Sequence, residues 1–214
     1  MLALIKSRTA RLPWALLLAE ALAIALSVGL AFAVQEWREA AREDGARREA
    51  LQNFRDELAR NRAAAEAAIP YHTEVRDRAL ALVTSLEADS LRHMGEAMQA
   101  IGWRGPGAAY LPRTAMLAAE ATGAVGLLDF ETAGAVADAY ALQGFLDRTQ
   151  QAFLTEGGFN PAIYDPEEVR QALWVMYMYF DAATGAEESL LAVYDRALER
   201  VAAELGEAPP ERAP

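Results

Sequence analysis

This chain of 214 residues reads as an all-α protein, in which an N-terminal transmembrane helix continues into a helical stalk and an antiparallel helical bundle. Three observations carry that reading. No segment alternates apolar and polar residues with period two, so no sheet is expected. Apolar residues recur at spacings of three and four from Trp37 onward. One stretch near the N-terminus, Pro13 to Val34, holds a single charge, Glu20, and is otherwise apolar or small.

Residues 1–12 form a basic tail with Lys6, Arg8 and Arg11. Residues 13–34 are the expected transmembrane helix; at 1.5 Å per residue they span about 33 Å, against a hydrocarbon core of about 30 Å. Trp14 and Trp37 stand at its two ends, as interfacial anchors do. Ala31-Phe32-Ala33 matches a signal-peptidase site, but the apolar run exceeds a usual signal peptide's core, which favours an uncleaved signal-anchor. The basic tail places the N-terminus in the cytoplasm and the C-terminal domain outside.

Glu20 costs on the order of 3 kcal/mol if ionised inside a bilayer. It is expected to meet a partner helix through the face it shares with Ala23 and Ser27, giving a homo-oligomer or a complex with another membrane protein.

The pattern of Glu20, Ser27 seven residues later and Trp37 ten beyond that, followed by the charged helix Leu51 to Asn61, resembles an uncharacterised bacterial family of single-pass membrane proteins known only as a domain of unknown function. The likeness covers residues 14–66. It implies membrane anchoring and no activity; with the orientation set by the basic tail, the expected location is the bacterial inner membrane with the C-terminal domain in the periplasm.

Residues 35–69 are expected to form a charged amphipathic stalk, with Trp37, Ala41, Arg48, Leu51, Phe54, Leu58, Ala65 and Ile69 at helical spacing and charges between them. Pro70 should end it. The bundle then covers 70–205. A helix with Tyr71, Val75, Leu82 and Leu86 inward runs to about Glu87, and Ser90 caps another to Ile101. Gly102 to Pro112 is a loop whose Trp103, Arg104 and Tyr110 read as an ordinary connector. Helices follow from Arg113 to Gly123 and from an Asp129 cap, the latter with Phe130, Val136 or Ala137, Tyr140, Phe145, Ala152 and Leu154 inward. Asp165-Pro166-Glu167-Glu168 is a helix start with acids on the positive dipole end. The helix after it continues to Leu205, with Thr184-Gly185 a place to bend it or split it. Residues 206–214 read as a disordered tail.

Composition excludes several chemistries. Cysteine is absent, which removes disulfides, thiolate metal sites and a cysteine nucleophile. The only histidines, His72 and His93, lack a second ligand one turn away, and they read as surface or partly packed side chains. No serine sits in a nucleophile elbow, and Gly102, Gly105 and Gly107 do not fit a phosphate-binding spacing. No catalytic residue, metal or cofactor is therefore expected. Beyond Val34 the chain carries 17 basic against 30 acidic side chains, which excludes a nucleic-acid surface and favours basic partners. Glu187 and Glu188 read as helix-surface charge. The expected role is a membrane-anchored interaction or scaffold protein. The rival is an exported bundle that holds an apolar small ligand on a face made by Trp174, Met178 and Phe180.

Overall fold

In a computed structural model, which describes residues 14–85, 91, 93–157 and 169–207, the chain is all-α. Among the described residues there are five α-helices and no strand. They are α1 (Trp14–Thr84), α2 (Met94–Ala100), α3 (Thr114–Thr122), α4 (Phe130–Ala152) and α5 (Val169–Leu205). A 3-10 turn, Ala124–Leu127, joins α3 to α4, and a π-turn, Phe153–Gly157, follows α4.

The chain divides into two units at Gly45 and Ala46. The first contains the apolar part of α1. The second is compact and begins well inside the stretch read from the sequence as a stalk, so that from Ala50 onward α1 is one wall of the core. Its inward residues include Leu51, Phe54, Leu58, Asn61, Ala65, Ala68, His72, Val75, Ala79 and Val83, all buried. As far as Ala79 those steps alternate three and four, the heptad spacing of packed helices. The same alternation marks the buried faces of α4 (Thr132, Val136, Ala139, Gln143, Leu146, Gln150) and α5 (Leu173, Met176, Phe180, Ala183, Glu187, Leu190, Tyr194). The pairs Arg62–Asp195 and His72–Glu187 make α5 antiparallel to α1. Tyr140 on Glu57 and Gln143 on Asn61 make α4 parallel to it.

The structure corrects several element expectations. Pro70 lies inside α1 and does not end it. Pro70 and Glu66 are both exposed, so the carbonyl freed by the missing N–H faces solvent, while Ala68 and His72 on the buried face hold the helix in place. Thr184-Gly185 does not split α5. Phe130 and Phe145 point outward, at 92% and 50% exposure, because both fall off the heptad seam of α4. Asp129 precedes α4 but its side chain makes no cap bond. The expected caps at Ser90 and at Asp165–Glu168, and most of the expected tail, lie outside the described residues.

Candidate functional site

The N-terminal unit offers one kind of site, a helix without a covered face. Every described side chain from Trp14 to Gly45 is exposed, including Trp14 (79%) and Trp37 (71%). Ten large apolar side chains lie between Leu16 and Val34. Glu20 has no hydrogen bond or ion pair among the described residues. The Ser27 hydroxyl donates to the Ala23 carbonyl at 2.7 Å, so its proton is already used inside the helix. Of the expected pairing face, Glu20 is therefore the side chain that still lacks a polar partner.

The compact unit offers a second kind, two buried polar clusters on the heptad seam. In the first, Glu57 is 3% exposed and accepts the Ala115 N–H on both oxygens at 3.1 Å. That amide belongs to the first turn of α3, whose own N-cap, Arg113, makes no side-chain cap bond. A carboxylate from α1 thus caps α3 and meets its positive dipole end. The Tyr140 hydroxyl donates to Glu57 at 2.6 Å. Asn61 donates to the Pro112 carbonyl at 2.8 Å and to Gln143 Oε1 at 3.2 Å, and the Tyr194 hydroxyl donates to the same Gln143 oxygen at 2.9 Å. Gln143 in turn donates to the Leu111 carbonyl. Burial pushes the phenols of Tyr140 and Tyr194 well above the usual tyrosine range, and the bond to Glu57 adds to the shift of Tyr140.

In the second cluster, His72 and Glu187 are both fully buried, with Nδ1 2.9 Å from Glu187 Oε2. His72 Nε2 lies 3.0 Å from the Pro106 carbonyl. A carbonyl only accepts, so Nε2 carries a proton, and a further proton lies between Nδ1 and the carboxylate. The Tyr71 hydroxyl donates to the Gly105 carbonyl at 2.6 Å and accepts the Arg104 N–H at 2.9 Å. The Arg104 guanidinium sits 4.6 Å above the Tyr71 ring. Gly107 closes this corner with φ +64, and a Cβ there would come within 2.5 Å of the Tyr71 ring and 2.9 Å of His72 Nε2. The phenol of Tyr179 is pushed up by burial first and by Glu187 second.

Both clusters act on the same object. Side chains of α1 and α4 hold backbone groups of the segment 104–115, which has little secondary structure of its own, through the carbonyls of Gly105, Pro106, Leu111 and Pro112 and the Ala115 amide. The His72–Glu187 pair is fully buried, and through His72 it ties the Pro106 carbonyl of that segment to the bundle.

The expected apolar-ligand face does not assemble. Phe180 is fully buried against the rings of His72, Trp103 and Tyr179, whereas Trp174 and Met178 point outward at 47% and 52% exposure. They lie on different sides of α5 because about 200° of helical rotation separates Met178 from Phe180. His72 and Glu187, expected at the surface, are core residues instead, while His93 is exposed just before α2. Trp103 is half-buried in the aromatic cluster and Tyr110 is exposed. Sequence reasoning missed Glu57, Asn61, His72, Gln143 and Glu187. Their signal was register, since Asn61, His72, Gln143 and Glu187 stand three or four residues from apolar seam positions. Among the described residues no group of three or more His, Asp or Glu side chains is placed to hold a metal ion.

Compared with known proteins, the chain matches no family model, and no curated protein or solved structure resembles it at a significant level.

Proposed function

We propose that this is a single-pass membrane protein, anchored by residues 13–34, whose compact helical unit serves as an interaction or scaffold module held at the membrane surface. The observation that carries the reading is the uncovered apolar length of α1. Soluble monomers rarely expose a contiguous apolar patch beyond a few hundred Å². Covering ten large apolar side chains with lipid is worth on the order of 15 kcal/mol. Glu20 opposes that with about 3 kcal/mol, so insertion wins even with the carboxylate ionised.

The anchor is retained in this reading. Ala31-Phe32-Ala33 lies within the unbroken helix α1, and a peptidase needs that segment extended. The module faces the periplasm of a bacterial inner membrane, with the basic tail in the cytoplasm, in keeping with the resemblance to single-pass bacterial proteins. Within the bilayer, Glu20 finds its partner on a second copy or on another membrane protein, packed against the Ala23 and Ser27 side of the helix.

Alkaline carbonate extraction of membranes, followed by protease treatment of intact spheroplasts, tests anchoring and side together. The full chain is expected in the carbonate pellet and its C-terminal unit is expected to be digested. Release into the supernatant would overturn the anchor, and protection without lysis would reverse the topology. Glu20→Leu is expected to change the mass of the detergent-solubilised complex by light scattering; an unchanged mass would sink the pairing.

A further inference from the structure

The segment after the apolar run carries both signs of charge, sorted by face. At about 100° of rotation per residue, Ala31, Gln35, Arg38 and Arg42 fall on one strip of α1. Glu36, Glu39 and Glu43 fall on the strip beside it. All are exposed. Elsewhere in the chain Arg47, Arg55, Arg62, Arg76, Arg78 and Arg200 form ion pairs with carboxylates. Arg38 and Arg42 have no such partner among the described residues, although acids stand within one turn of both.

Their depth is set by helix geometry. Arg38 lies about 6 Å and Arg42 about 12 Å along the axis beyond Val34, while the polar layer on each side of a bilayer is about 5–8 Å thick. Helical side chains lean toward the N-terminus, so both guanidinium groups reach back toward the lipid rather than away from it. Two guanidinium forks one turn apart match the oxygens of a phosphodiester, with the Gln35 amide on the membrane side of the pair.

We infer that Arg38 and Arg42 form a binding site for the phosphate of an anionic phospholipid, in the leaflet where α1 leaves the membrane on its C-terminal side. The inference rests on the membrane-spanning reading. It gives the acidic protein a local cationic contact with lipid that its overall charge would not suggest.

The test uses the full chain carrying Trp14→Phe, Trp103→Phe and Trp174→Phe, which leaves Trp37 as the single tryptophan, reconstituted in vesicles with brominated phosphatidylcholine or brominated phosphatidylglycerol, and reads quenching of Trp37. Quenching by both lipids is expected, with a binding preference of about fivefold for phosphatidylglycerol. The preference should fall toward one in Arg38→Gln/Arg42→Gln, and in the unsubstituted pair at high salt. Equal quenching by the two lipids, or a preference that survives the double substitution, would overturn the lipid site while leaving the span intact. Loss of the preference on adding inorganic phosphate at constant ionic strength would assign the pair to a soluble anion and overturn the lipid source. Absence of quenching by either lipid would remove the span and this site with it.

Discussion

Between Trp14 and Gly45 every described side chain of α1 is exposed, whereas between Ala50 and Val83 a single heptad face is fully covered. The backbone is the same α-helix in both regions. In the first, between Leu16 and Val34, apolar residues surround the axis and no described part of the chain covers them, so the helix is long and apolar enough to cross a membrane. In the second, apolar and polar residues share the seam, and Glu57, Asn61 and His72 each bond partners on α4, α5 or the 104–115 segment, although Asn61 Oδ1 and Glu187 Oε1 stay buried without one. Glu20 and Glu57 make the contrast concrete. Glu57 has a phenol and a helix N-terminus inside its own chain. Glu20 has neither among the described residues.

The largest effect is expected from attacking the first region on its own terms. Leu22→Arg/Leu26→Arg adds about 3 kcal/mol per site by insertion scales and forfeits apolar contact as well. The chain should move from the carbonate pellet to the supernatant or to aggregates. Retention in the pellet would mean that something other than these residues holds the protein to membranes.

In the second region, removing one member of the fully buried pair should cost most. His72→Ala leaves the Glu187 carboxylate alone in the core and is expected to destabilise the folded unit by about 3–5 kcal/mol, read from urea unfolding of the full chain in detergent. Glu187→Gln is the sharper variant. A neutral imidazole with its proton on Nε2 keeps the Pro106 bond and accepts from the new amide through Nδ1, so this change should cost under about 1.5 kcal/mol. Equal losses in the two variants would show that packing rather than hydrogen bonding fixes the corner.

Alkaline pH probes three phenols at once. Tyr140, Tyr179 and Tyr194 have folded-state values raised above the ordinary 10.0 by burial. The protonated form is thus favoured by folding; the contribution is complete below pH 10 and is lost as pH rises beyond it. One unit above, the three together should lower stability by about 4 kcal/mol. Absorbance at 295 nm should show three of the seven tyrosines ionising only as the protein unfolds. A single smooth titration of all of them, with far-UV ellipticity intact, would contradict their burial.

The last of these effects concerns one methyl group. Gly107→Ala puts a Cβ against Tyr71 and His72 at a positive φ, and is expected to cost about 2 kcal/mol and to raise hydrogen exchange at 104–107. The same change at Gly126, with open space around it and no positive φ, should cost little. A null effect at Gly107 would mean that the segment shifts freely, and that the His72 and Tyr71 bonds do not pin it.

What the sequence determined by itself is whatever depends on neighbours along the chain. The all-α class followed from local periodicity, as did the apolar run between Pro13 and Val34 and the course of α5 from Val169 to Leu205. Each of these is set by residues three or four positions apart, which a linear reading contains. Tertiary structure alone decided where the polar residues go. Asn61, His72, Gln143 and Glu187 sit inside because each finds a hydrogen-bond partner 31 to 115 residues away, and the cost of burying a polar group vanishes only once that partner is in place. Pro70 continues a helix because its freed carbonyl faces solvent, and Phe130 and Phe145 stay outside because the α4 seam was fixed by its smaller and polar members. Side-chain polarity and size name a residue's preference; the register of three helices against one another decides whether that preference is met.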